Sequence, residues 1–105
     1  MTSAEIIETI AERLGAAVPP GTRVVLFGSQ ARGDAEPDSD YDVLVIEPAV
    51  SDVMAESVRL RNELRGMLVG IDVVVVDHDQ VRVHSAVPGT MVERALREGR
   101  TLAHT

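Results

Sequence analysis

The chain has 105 residues and a mass of 11.3 kDa, with 45% hydrophobic and 26% charged residues, which excludes intrinsic disorder and leaves room for one domain, residues 1–105. Its ten basic residues, all arginine, face seventeen acidic ones for a net charge of -7, a balance that argues against sequence-independent nucleic-acid binding. There is no cysteine for disulfides or thiolate chemistry, and no apolar run exceeds four residues, against the roughly 18 of a membrane helix. In chain order, Ser3 is a candidate helix cap, followed by Ile6, Ile7, Ile10 and Leu14 at helical spacing. Gly15 and then Pro19-Pro20-Gly21 end that helix. Arg23 to Phe27 is a β-branched apolar run between glycines and reads as a buried strand. Gly28 to Arg32 reads as a short helical turn and Gly33 to Ser39 as a polar turn. Tyr41 to Ile46 is a second strand, stopped by Pro48. Ser51 opens a long helix with Val53, Met54, Val58, Leu64, Met67 and Leu68 broadly on one side and Gly70 as its end. Ile71 to Val76 is a third strand, and Asp77 to Ser85 carries no clear pattern. Pro88 begins a last helix with Val92 and Leu96, stopped by Gly99. Alternating helices and strands predict an α/β-like class with three strands under covering helices. Glu5 and Glu8 precede any basic residue, unlike a signal peptide, so a soluble cytoplasmic protein is the expectation.

Three features carry chemistry. Asp40 and Asp42 stand two apart at the mouth of a strand, so their carboxylates point to the same face. Such a pair repels itself unless a cation lies between, and a hard, oxygen-seeking ion such as Mg²⁺ suits it. Two solvated acids in a loop are the plain alternative. Gly28 and Ser29 leave the first strand in a turn whose free amides and hydroxyl can face an anion, with Arg32 as a further donor. A simple helix cap is the alternative there. Asp72 interrupts an otherwise apolar strand, and a buried carboxylate needs partners. Beside the second strand it either joins Asp40 and Asp42 around one or two cations or acts as a base. As a strand-end residue it would only face solvent.

The pattern G-S-x10-D-x-D, with a later strand aspartate, resembles the nucleotidyltransferase superfamily of the polymerase-β-type fold. The stretch GSQARGDAEPDSDYDVLV resembles the minimal nucleotidyltransferase (MNT) family in particular, as does the ending ALREGRTL. The resemblance implies an α/β (α+β) nucleotidyltransferase fold, a small mixed sheet of three or more strands flanked by about four helices, in which Gly28 and Ser29 bind nucleotide phosphates; Arg32 either joins them or pairs with Asp34 or Glu36. It implies that Asp40 and Asp42 carry Mg²⁺ and that Asp72 is the third metal-linked or base carboxylate. The implied reaction is attack of an acceptor hydroxyl on the α-phosphorus of ATP with loss of pyrophosphate. Many relatives are antitoxins of helical HEPN toxins, and some attach AMP to a tyrosine of the toxin. A chain of this length has little room for its own acceptor domain, which favours a partner protein as acceptor; a homodimer is another way to complete that site. Two other functions remain open at this point: a binding-only antitoxin, and a nucleotidyltransferase subunit for a small molecule or RNA. His78, His84 and His104 lack metal-pair spacing, Met54 and Met67 read as core fillers, and Tyr41 points away from the acidic pair. Asp34, Glu36 and Asp38 read as a solvated loop, and Asp77 as a turn former.

Overall fold

The computed structural model describes all 105 residues. Thr2, not Ser3, caps the first helix, α1 (Ser3–Ala17). Its hydroxyl accepts the Glu5 N–H while the Glu5 carboxylate accepts the Thr2 N–H, satisfying two otherwise orphaned donors. There follow β1 (Arg23–Phe27), α2 (Ser29–Arg32), β2 (Tyr41–Glu47), α3 (Val53–Asn62), β3 (Ile71–Asp77), α4 (His78–His84), α5 (Met91–Glu98) and β4 (Arg100–His104). The sheet order is β3-β2-β1-β4, with β2 and β3 parallel and the other pairs antiparallel. No helix is long and apolar enough to cross a membrane.

Side-chain alternation divides the core between the two faces of the sheet. On one face Ile6, Ile7, Ile10 and Leu14 of α1, with Leu60 of α3 and the following Leu64, pack on Val24, Leu26, Val43, Val45, Val73 and Val75. On the other, Val92 and Ala95 of α5 pack on Val25, Phe27, Leu44, Ile46 and Val76. Both faces are covered, which is why the strands read as continuous apolar runs.

Several elements differ from the sequence reading: α1 runs past Gly15 to Ala17, and β2 and β3 each extend one residue further, to Glu47 and Asp77. β4 is a strand beyond the three that apolar runs predict. It is an edge strand whose residues are at most half-buried, so it carries no apolar run. α4 occupies the patternless segment and buries none of its residues; Asp77 caps it in a second capping box with Gln80. α3 is capped by Asp52 and stops at Asn62, the chain continuing in turns through Met67. Its expected apolar face is only partly the buried one: Leu64 and Met67, in the turns beyond the helix, pack on the core beside the fully buried Leu60, whereas Met54 and Val58 are 75% and 51% exposed. Leu68, beyond it, is 98% exposed. α5 begins at Met91 behind a Thr90 cap, three residues after Pro88.

The chain's ends lie at opposite poles of the sheet. At one, Ser3 Oγ lies 3.0 Å from the Tyr41 hydroxyl at the start of β2. At the other, Thr105 exchanges backbone hydrogen bonds with Gly21 and Thr22, and its hydroxyl donates to the Pro19 carbonyl. At that second pole β2 ends in Glu47, which is only 3% exposed although Oε2 has no hydrogen-bond partner. Burial, and then the neighbouring Glu56 carboxylate, pushes the Glu47 carboxyl up to about 7. Two hydrogen bonds of 2.7 Å from Arg59 pull Glu56 down to about 2.

Candidate active site

The C-terminal end of β1 and the N-terminal ends of β2 and β3 meet at the first pole. Phe27 pairs with Asp42, and Asp42 with Asp72. The two aspartates are therefore cross-strand neighbours on the same face, the one covered by α4 and α5. Asp40 stands just ahead of β2. Its carboxylate lies over Gly70, whose carbonyl accepts the Tyr41 N–H at 2.9 Å. A Cβ at Gly70 would collide with Asp40.

Gly28 adopts φ +76°, the left-handed region that favours glycine, and a Cβ there would collide with the Asp42 carboxylate. This glycine thus turns the chain from β1 into α2 and makes space for the acid. Ser29 opens α2; its own amide and that of Gln30 have no partner within the helix, while Ala31 and Arg32 N–H both donate to the Gly28 carbonyl at 3.1 Å.

The fold thus gathers Gly28, Ser29, Asp40, Asp42 and Asp72 at one pole. Arg32 is close by, but its guanidinium is engaged by acids: Nε lies 3.2 Å from Asp34 and Nη1 3.0 Å from Glu98. The acidic loop closes on itself, Glu36 N–H donating to Ser39 Oγ and Ser39 N–H to the Glu36 carbonyl, and its acids face solvent. The three histidines are exposed, as surface residues should be. Tyr41 is buried on the opposite face, in the α1 core.

Electrostatics marks Asp42. Its carboxyl is pushed above the usual carboxylate range by burial first, then by the charges of Asp72 and Asp40. Arg94 and Arg32 pull in the other direction. The donor set fits a hard divalent cation: it is all carboxylate oxygen, and the crowding at Asp42 is the repulsion a cation would relieve. The side chains do not already close on one point. No three His, Asp or Glu groups surround a common metal position, because Asp40 leans toward Gly70 and Asp42 toward Gly28. Asp40, Asp42 and Asp72 would hold the ion after side-chain rotation, on a backbone frame already in register.

Sequence reasoning missed Gln30, Arg94 and Glu98. Gln30 Nε2 donates to the Ser39 carbonyl at 3.1 Å and its Oε1 lies 3.5 Å from Ser3 Oγ, tying α2 to the acidic loop and α1. Arg94 and Glu98 come from α5, in and beside the ALREGRTL stretch, but nothing in that stretch announces that they reach the site.

The model of the nucleotidyltransferase domain family matches residues 6–100. No curated protein matches the chain. Among solved structures, a toxin-antitoxin with AMP-PNP is 24% identical, the match covering 93% of this chain and 73% of that one at a TM-score of 0.63. A putative nucleotidyltransferase from Sulfolobus solfataricus is 22% identical over 92% of this chain and 76% of that one, TM-score 0.62. A mutant of the toxin-antitoxin MntA-HpeT is 19% identical over 100% and 75%, TM-score 0.57. At these identities the likeness is one of fold.

Proposed function

Because the chain belongs to the nucleotidyltransferase domain family, we propose that it transfers AMP from ATP to a hydroxyl of a partner protein, a tyrosine of a HEPN-type toxin, and so acts as the antitoxin of that pair. The observation that carries this reading is the register of Asp42 and Asp72, with Asp40 beside them and Gly28-Ser29 at the neighbouring strand end. Two fold neighbours that are toxin-antitoxin structures, one with AMP-PNP, support the partner and the nucleotide.

The chain's residues divide the work. The Gly28-Ser29 turn offers backbone amides and a hydroxyl to the phosphates. Asp40 and Asp42, with Asp72, would hold Mg²⁺, which when bound neutralises charge on the phosphates and on the leaving pyrophosphate. The acceptor oxygen forms a bond to the α-phosphorus as the bond to the β-phosphate oxygen breaks. The acceptor proton passes to Asp72, whose carboxylate is exposed at the rim of the site. In-line geometry and fixed charge supply the acceleration.

The test uses ATP labelled on either the α- or the γ-phosphate, with Mg²⁺ and lysate of the source cell. A protein band labelled only from the α position, and lost with Asp40→Asn or Asp42→Asn while the far-UV spectrum is unchanged, is expected. The loss should exceed about a hundredfold, in line with removing a group that stabilises transition-state charge. Full transfer by both variants would overturn the mechanism. No label on any protein, with one partner still bound tightly, would make the chain a binding-only antitoxin. Label on a small molecule or RNA would move the acceptor class.

A further inference from the structure

We propose that Arg94 is the guanidinium that grips the triphosphate tail of the nucleotide. The inference rests on the nucleotidyltransferase reading and adds to it a residue of α5, distant in sequence from the Gly-Ser turn and the three aspartates.

Placement is the first argument. α5 crosses the sheet on the face from which Asp42 and Asp72 emerge, its Val92 and Ala95 packed with Val25, Phe27 and Leu44. Its exit is pressed close against β1: a Cβ at Gly99 would collide with the Ala95 carbonyl and with Val25. The helix is thus a fixed platform. Glu98, one turn further along the same stripe of α5, reaches Arg32 of α2 at 3.0 Å, so this flank of the helix faces the Gly-Ser turn, and the charge of Arg94 also acts on Asp42.

Availability is the second argument, and it separates Arg94 from Arg97 and Arg32. Arg97 is held by Glu93 at 3.0 Å. Arg32 is held by Asp34 and by Glu98. Glu98 stands four residues after Arg94 and is its natural helical partner, yet its carboxylate turns to Arg32. Arg94 enters none of the chain's five ion pairs and its side chain is exposed. An arginine kept free on the flank of α5 that faces the acidic site, in a chain of net charge -7, suits a polyanion that arrives from solvent. The planar fork of a guanidinium matches paired phosphate oxygens, which a point charge does not.

The experiment is calorimetric titration of the full chain with ATP and with AMP, each with Mg²⁺, for wild type, Arg94→Ala and Arg94→Lys. Arg94→Ala should weaken ATP binding about ten- to a hundredfold, the range for charge-assisted hydrogen bonds, and leave AMP binding unchanged. Lys should restore part of the loss. The thermal midpoint should not move, because the side chain is exposed and unpaired. ATP affinity in Arg94→Ala within about twofold of wild type, or an equal loss for ATP and AMP, would overturn the assignment. Wild-type chain that binds ATP through Arg94 but transfers no α-label would retain this inference while the transferase reading falls. Wild-type chain that binds no ATP would end both.

Discussion

Gly28 joins backbone freedom to site geometry in one residue. Its positive φ suits glycine, and the volume a methyl group would fill is taken by the Asp42 carboxylate. Gly28→Ala therefore meets two costs, backbone strain of about 1–3 kcal/mol and displacement of an acid. A thermal melt should show a midpoint lowered by about 4–8 °C per kcal/mol lost. Transfer from α-labelled ATP, assayed well below that midpoint, should fall further than stability explains. A variant that melts lower but transfers normally would show that Asp42 tolerates being moved. Gln30 does related work without touching the acids: by holding the Ser39 carbonyl, it fixes the residue ahead of Asp40. The acids and the Gly-Ser turn were legible in the sequence because they are local and their residue types are unusual where they stand. Gln30 and Arg94 were not, since their roles exist only once distant segments pack.

Among the elements, α3 shows how a pattern can mislead. Val53, Met54 and Val58 look like the apolar stripe of a helix, but the buried anchor is Leu60, set among Arg59, Arg61 and Asn62. The helix is short and touches the core through few residues, so burial of one leucine decides its orientation. Leu60→Ala should cost about 2–5 kcal/mol in chemical denaturation, the range for a buried leucine. Val58→Ser should stay within about 0.5 kcal/mol, as an exposed change does. Equal effects would mean that α3 sits differently. The three long apolar strands were legible because each is covered on both faces. β4 was not, since an edge strand needs apolar residues on neither its rim nor its outer face. α4 was not, since it fully buries no side chain, touching the core through the half-buried Val81 behind its capping box.

At the scale of the whole molecule, pH should act through the pole away from the site. Between about 4.5 and 7 the folded chain keeps the Glu47 proton that the unfolded chain has lost, so stability falls as pH rises across that window. Glu56 acts in the opposite sense: its stabilisation is present above 4.5 and is lost as pH falls toward 2. Glu47→Gln removes the charge that burial opposes. Its melting temperature should exceed that of the wild type at pH 8, by about 4–8 °C per kcal/mol recovered, and match it near pH 5. Parallel curves for the two proteins across that range would show that the Glu47 carboxyl stays ionised in the fold. The placement of the chain's two ends has a practical reach beyond stability. A purification handle or surface anchor joined after Thr105 would leave from beside Pro19 and Thr22, with the sheet between it and the carboxylates. The same handle placed ahead of Met1 would start next to Ser3 and Tyr41, at the pole that carries the carboxylates.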